Sequence, residues 1–107
     1  MEAKHATAKS NPLQINVTSR AINGVNGVVD LTPREYGLLS CLVDHAGSPM
    51  SRTDLLRDAW GWDYASELKT KTVDMHVRRL RVKFERAGLD PSAISTVRGR
   101  GYVYIAS

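Results

Sequence analysis

Five basic residues, Arg78, Arg79, Arg81, Lys83 and Arg86, crowd the stretch "TVDMHVRRLRVKFERAG" from Thr72 to Gly88. Guanidinium groups at this density are built for anions: their planar fork of N–H donors matches phosphate oxygens, or O6 and N7 of guanine. A second basic element, "RGRG", sets Arg98 and Arg100 each beside a glycine. Acidic partners four residues away would turn the first group into an internally neutralised surface. Only two such pairs are available, Asp74 with Arg78 and Arg81 with Glu85, while Arg79 faces Met75 and Lys83. Charge without an internal partner calls for an external one.

Periodicity orients that charge. On a helical wheel turning about 100° per residue, Val77, Leu80 and Phe84 fall within roughly 40° of Val73, a narrow apolar stripe for a core. Lys71, Met75, Arg78, Val82 and Arg86 lie opposite, with Asp74 and Arg79 on the flanks. A helix of this kind fits the major groove of duplex DNA. Arginine there can bond guanine bidentately, Met75 or Val82 can pack on thymine methyls, and Asp74 can accept from a cytosine amino group or orient an arginine. His76 lies between stripe and outer face, where packing and phosphate contact are both open. The "RGRG" segment can hold Arg98 and Arg100 on a stem slim enough for a minor groove, whose A·T tracts attract arginine. Taken alone, its glycines read more readily as a plain tight turn; beside the arginines and the basic helix, the groove-reaching reading is the better one.

Several elements must position these two. "MEAKHATAKSN", residues 1–11, has no periodicity and reads as a disordered leader or linker remnant, and residues 12–107 read as one domain. Short apolar alternations, "LQINV", "RAI" and "GVVDL", predict three or four antiparallel strands, with the Asn-Gly pairs of "NGVNG" supplying a tight turn. "LTPREYGLLSCLVDHAG" predicts a helix capped by Thr32, with Pro33 at its first position, Glu35 closing a capping box and Gly47 as its stop. Leu38, Leu39, Leu42 and Val43 form its buried stripe, and Cys41 reads as a small core hydrophobe. "SRTDLLRDAWG" repeats the Ser51/Asp54 capping spacing and ends at Gly61. "WDYASELKTK" reads as a loop, so the basic helix is expected over about 70–86. Finally Ile94–Val97 and Tyr102–Ile105 predict a hairpin over about 94–105. Small sheet, three helices and C-terminal hairpin make an α+β winged helix-turn-helix.

Bulk properties agree. The chain has 107 residues, 42% hydrophobic and 24% charged, which suits one modest core. The net charge of +4 is unevenly spread: residues 1–68 carry −2 and residues 69–107 carry +6. Such asymmetry implies a neutral scaffold with a basic working end. No apolar run approaches the roughly 20 residues of a membrane span, so no membrane partner is expected. One cysteine excludes an internal disulfide and fits a cytoplasmic location. His5, His45 and His76 are far apart, and Cys41 has no ligand spacing, so no metal or cofactor is expected. No nucleophile elbow, P-loop or HExxH motif is present, and the chain does not read as an enzyme.

The segments "LTPREYGLLSCL", "SRTDLLRDAWGWDY", "KTVDMHVRRLRVKFE" and "STVRGRGYVY" together resemble the OmpR/PhoB-type winged-helix effector domain of bacterial response regulators, over about residues 12–105. The resemblance implies a four-stranded N-terminal sheet and transcription regulation by sequence-specific binding of double-stranded promoter DNA. It places recognition-helix contacts on Lys71, Thr72, Asp74, Met75, His76, Arg78, Arg79 and Arg81. It places the minor-groove arginine at Arg98, with Arg100 as an added wing charge, and phosphate contacts at Arg52, Trp60, Thr96 and Tyr102. Lys71 stands where the family usually has arginine, and Met75 where a β-branched residue is common. The loop "GWDYASELKTK" resembles the family's contact with RNA polymerase, which would fall on Trp62, Asp63, Tyr64 and Glu67. The cluster Trp60, Trp62 and Tyr64 could instead anchor the loop, the reading favoured for Trp60. The family's receiver domain has no counterpart here. It would be a partner in a full-length protein, with the effector domain monomeric alone and paired head-to-tail on DNA.

Overall fold

Two capping boxes fix where the first two helices begin. The Thr32 hydroxyl accepts from the Glu35 N–H, and the Glu35 carboxylate accepts from the Thr32 N–H at 2.8 Å, opening α1 (Pro33–Asp44). Ser51 and Asp54 repeat the arrangement at the start of α2 (Arg52–Trp60), which ends on Gly61 in the left-handed conformation. The computed structural model describes residues 13–63 and 66–106. The expected leader and Tyr64 lie outside those residues.

Among the described residues, strands β1 (Gln14–Asn16), β2 (Ala21–Gly24) and β3 (Gly27–Asp30) form an antiparallel sheet in that order, three strands rather than four. Ile22 is fully buried and pairs with Ile15 on one side and Val29 on the other. The β2–β3 turn departs from the expected one. Its apex is Val25–Asn26, closed by the Gly24–Gly27 pair, rather than an Asn-Gly dipeptide. Tertiary docking explains this choice. The Asn26 N–H donates to the Ala87 carbonyl at 2.8 Å, and the Asn26 side chain donates to the Arg86 carbonyl at 3.5 Å. The hairpin thereby satisfies carbonyls that the end of the long helix leaves open.

That helix, α3 (Glu67–Ala87), starts earlier than its apolar stripe suggests. The Ser66 hydroxyl accepts from the Lys69 N–H and caps it, and the polar segment from Glu67 to Lys71 is its first turn rather than loop. Conversely, α1 ends before Gly47. His45 crowds its last turn, with both its backbone N–H and its ring Nδ1 on the Cys41 carbonyl. The expected stripes are otherwise met: Leu38, Leu39 and Leu42 of α1 and Val73, Val77, Leu80 and Phe84 of α3 are buried together, with Val43 only partly covered. Cys41 is buried, its Sγ 3.7 Å from Met50 Sδ. No helix of the described residues is long and apolar enough to cross a membrane.

One turn of 3-10 helix (Pro91–Ala93) leads into β4 (Ile94–Val97) and β5 (Gly101–Tyr104), paired antiparallel. The hairpin is tied to the body by Met50, between α1 and α2, whose N–H and C=O both bond the backbone of Tyr102. Gly101 makes this approach possible. It sits at φ +130°, and a Cβ there would lie 1.9 Å from the Met50 carbonyl oxygen. Its role is therefore close packing at the wing base, whereas Gly99, at φ +77° with open space around it, belongs to the tip.

Candidate functional site

The basic cluster divides once α3 is packed. Arg81 and Lys83 lie about 80° on either side of the stripe's centre, and both are drawn inward. Lys83 Nζ donates to the Asp30 carbonyl at 2.9 Å and to Glu35 Oε1 at 2.6 Å, joining sheet, α1 and α3. Burial raises the pKa of the Glu35 carboxyl, but the Lys83 ammonium and the Thr32 donors outweigh it, leaving it below its ordinary value. Arg81 spans to the wing. Its Nε and Nη2 donate to the Ile94 carbonyl at 2.9 and 2.7 Å, and Nη2 also donates to the Thr96 hydroxyl at 2.9 Å. The expected Arg81–Glu85 pair is not formed among the described residues, because the wing offers a better-placed acceptor.

What remains outward is one continuous face. Lys71, Met75, Arg78, Arg79, Val82 and Arg86 are all exposed along α3, and Met75 and Val82 are about half open. Among the described residues no carboxylate lies within ion-pair distance of Lys71, Arg78, Arg79, Arg98 or Arg100. Arg98, Gly99 and Arg100 form the wing tip, closed by the Arg100 N–H to the Val97 carbonyl at 2.8 Å. The arrangement is a rigid helix with an unneutralised basic face and a thin basic hairpin beside it.

Asp74 is not paired with Arg78. Its Oδ1 accepts from Arg52 Nε and from the Tyr102 hydroxyl, both at 2.6 Å. The bond to Asp74 and its charge hold the Arg52 guanidinium more firmly protonated than usual, against a smaller opposing effect of burial. Burial first, and then the Asp74 bond, push the Tyr102 hydroxyl up, so it stays a donor. Guanidinium groups of Arg52 and Arg81 lie 5.6 and 5.7 Å from the Tyr102 ring centre.

The other expected contacts divide by what their donors already do. The Trp60 indole N–H donates to the Arg34 carbonyl at 3.0 Å, the anchoring role rather than the phosphate one. The Thr72 hydroxyl donates to the Leu68 carbonyl at 3.1 Å, leaving only its lone pairs for a ligand. His76 is buried and stacks edge-on against Trp60 at 5.0 Å; its Nδ1 must carry the proton, since it faces the Thr72 carbonyl at 2.8 Å. Thr96 is exposed and accepts from Arg81 while keeping its own proton to donate. Trp62 is half buried against Trp60, with the Arg34 guanidinium 4.9 Å and the Lys69 ammonium 5.3 Å from its ring. Asp63 and Glu67 are exposed.

Sequence reasoning missed Met50 and Arg34. Met50 works through its backbone, which leaves no side-chain signature, and the partners of Arg34, Trp60 and Trp62, lie at and just beyond the end of α2, far along the chain. No group of three or more His, Cys, Asp or Glu residues is placed to hold a metal among the described residues.

Residues 26–104 match the family model described as "Transcriptional regulatory protein, C terminal". The chain is 43% identical over 98 residues to the transcriptional regulatory protein PrrA of Mycobacterium tuberculosis, covering 91% of this chain and 40% of that protein. It is 38% identical over 94 residues to the probable transcriptional regulator ycf27 of Guillardia theta, covering 88% of this chain and 37% of that one. This chain therefore spans about two fifths of the length of such relatives. Among solved structures, the RstA DNA-binding domain of Klebsiella pneumoniae, in complex with its RstA box, superposes with a TM-score of 0.71 at 31% identity, covering 87% of this chain and 90% of that one.

Proposed function

Because this chain belongs to the family of transcriptional regulatory protein C-terminal domains, the response-regulator output domains of winged-helix fold, we propose that it binds double-stranded promoter DNA sequence-specifically and regulates transcription. The observation that carries this reading is the exposed face of α3, basic and without internal counter-charge, set beside a basic wing. In this reading α3 enters the major groove, where Lys71, Arg78 and Arg79 meet base edges and Met75 and Val82 meet apolar groups. Arg98 enters the adjacent minor groove, Arg100 reaches the neighbouring backbone, and the spare donors of Arg52 and Thr96 meet phosphates.

The greater length of the relatives supports a receiver domain in the full protein. The surface that carries Trp62, Asp63 and Glu67, at the start of α3, is the proposed contact for RNA polymerase. Tyr64, expected in that set, is outside the described residues. The domain works in the cytoplasm, is monomeric alone, and pairs head-to-tail on DNA, a heterologous contact that repeats half-sites in one direction. Selection of bound sites from random duplexes tests this. The expected product is a direct repeat with half-sites about one helical turn, roughly 10 base pairs, apart. Enrichment of no sequence would contradict the specificity, and enrichment of palindromes would contradict the head-to-tail pairing.

A further inference from the structure

Asp74 is a carboxylate on a face that, in the reading above, meets a polyanion. A base-reading role would need the carboxylate free to turn towards a base edge. Instead Oδ1 is held from both sides, by Arg52 at the first turn of α2 and by Tyr102 in β5. One carboxylate thus touches the three elements of the basic surface: it sits on α3, bonds the start of α2 and bonds the wing. We propose that Asp74 is a positioning residue, which sets Arg52 and the wing against α3 for phosphate contact and reads no base itself.

Donor arithmetic supports this. A tyrosine hydroxyl has one proton, and that of Tyr102 goes to Asp74 at 2.6 Å, so it cannot also be donated to a phosphate. Tyr102 is buried, with its backbone bonded to Met50, which makes it the wing's anchor rather than a DNA contact. Arg52 differs. Only Nε is committed to Asp74, and a guanidinium carries four further N–H groups on its two terminal nitrogens. Fixing Nε orients that remaining fork, and its partly exposed side chain leaves the fork accessible. The Arg52–Asp74 pair has no net charge, so the carboxylate adds little repulsion towards the backbone.

The proposal rests on the DNA-binding reading, and its test separates the two. Wild type, Asp74→Ala, Asp74→Glu, Tyr102→Phe and the Asp74→Ala/Tyr102→Phe double variant are titrated onto a fluorescein-labelled random-sequence duplex and onto a panel of single-base variants of a selected duplex. Removing a negative charge should tighten binding if Asp74 acts only through its charge. The positioning role predicts the reverse: Asp74→Ala loses about tenfold on every duplex, as expected for one lost charge-assisted bond. Asp74→Glu recovers part of this loss, and base preferences stay unchanged. The double variant should bind no worse than Asp74→Ala, since both substitutions break one linkage. Tighter binding by Asp74→Ala, relaxed preference at a single base pair, or additive losses in the double variant would each overturn the proposal. Wild type that bound no duplex at low salt would overturn the DNA-binding reading itself.

Discussion

Replacing Arg81 separates a residue that builds the interface from one that touches DNA. Its guanidinium makes two bonds to the Ile94 carbonyl and one to the Thr96 hydroxyl. Bonds to a charged partner contribute about 1.5–3 kcal/mol each when isolated. Here two share one acceptor and the side chain is only partly buried, so about 1.5–2 kcal/mol is the fair expectation for the set. Its position over the Tyr102 ring adds roughly 0.5–1 kcal/mol. Arg81→Ala should then cost about 2–3 kcal/mol, a fall in Tm of roughly 10–20 °C for a domain of this size. Arg81→Lys should recover less than half, since an ammonium lacks the fork that spans both acceptors. Thermal unfolding gives the first number, and duplex titration across a salt series gives the second. Affinity should drop because the wing is released, yet the slope of log affinity against log salt should hold, because no phosphate partner is lost. An unchanged Tm together with a slope reduced by about 0.9 would refute this reasoning and make Arg81 a phosphate contact.

Other perturbations probe the scaffold and the wing. The folded-state pKa of Glu35 is depressed, so its contribution is present above the ordinary carboxylate value near 4.5 and is lost as pH falls through the lower folded value. Glu35→Gln should cost roughly 2–3 kcal/mol at neutral pH, below the usual range for breaking a buried pair because Lys83 keeps the Asp30 carbonyl. Urea unfolding should also show the two proteins converging as pH falls from the ordinary carboxylate value through the lower folded one, and a constant difference would contradict the linkage. Gly101→Ala should lower Tm by roughly 20 °C or more, through a clash with the Met50 backbone, whereas Gly99→Ala should cost only the roughly 1–2 kcal/mol of its left-handed backbone, a fall of about 5–13 °C. Equal effects would mean that the wing base tolerates a side chain. Arg98→Ala should lose more affinity on duplexes with an A·T tract beside the major-groove element than on G·C-flanked ones, and Arg98→Lys should restore little. Equal losses on both flanks would reduce Arg98 to a phosphate contact. Trp62→Ala or Glu67→Ala should lower transcription with purified polymerase while duplex affinity holds, and parallel loss of both would assign the loop to DNA.

Local signals proved readable and long-range ones did not. Both capping boxes, the α3 stripe and the basic outer face depend on spacings of three or four residues, which the chain displays directly. The Val25–Asn26 turn, the early end of α1 and the early start of α3 carry no such local signal. The first is selected by docking onto Arg86 and Ala87, the second by a histidine ring folding back, and the third by a serine cap ahead of a polar turn. Within the site, the helical wheel sets Lys71, Arg78 and Arg86 outward and Arg79 on a flank, but it leaves Arg81 among the expected DNA contacts and gives Lys83 no partner. The division into outward Arg78 and Arg79 and inward Arg81 and Lys83 depends on partners 13 or more residues away. The same distance hid Asp74, whose partners Arg52 and Tyr102 lie 22 and 28 residues away.

The most direct test of the account lies on the exposed face of α3. Arg78→Ala and Arg79→Ala remove guanidinium groups that have no acidic partner among the described residues, so neither should disturb the fold. Each variant is titrated onto a selected duplex and its full set of single-base substitutions at fixed salt. At least one should lose about 1–3 kcal/mol of binding and relax the preference at one base position, with thermal unfolding unchanged. Full affinity and full selectivity in both variants would contradict the placement of α3 in the major groove.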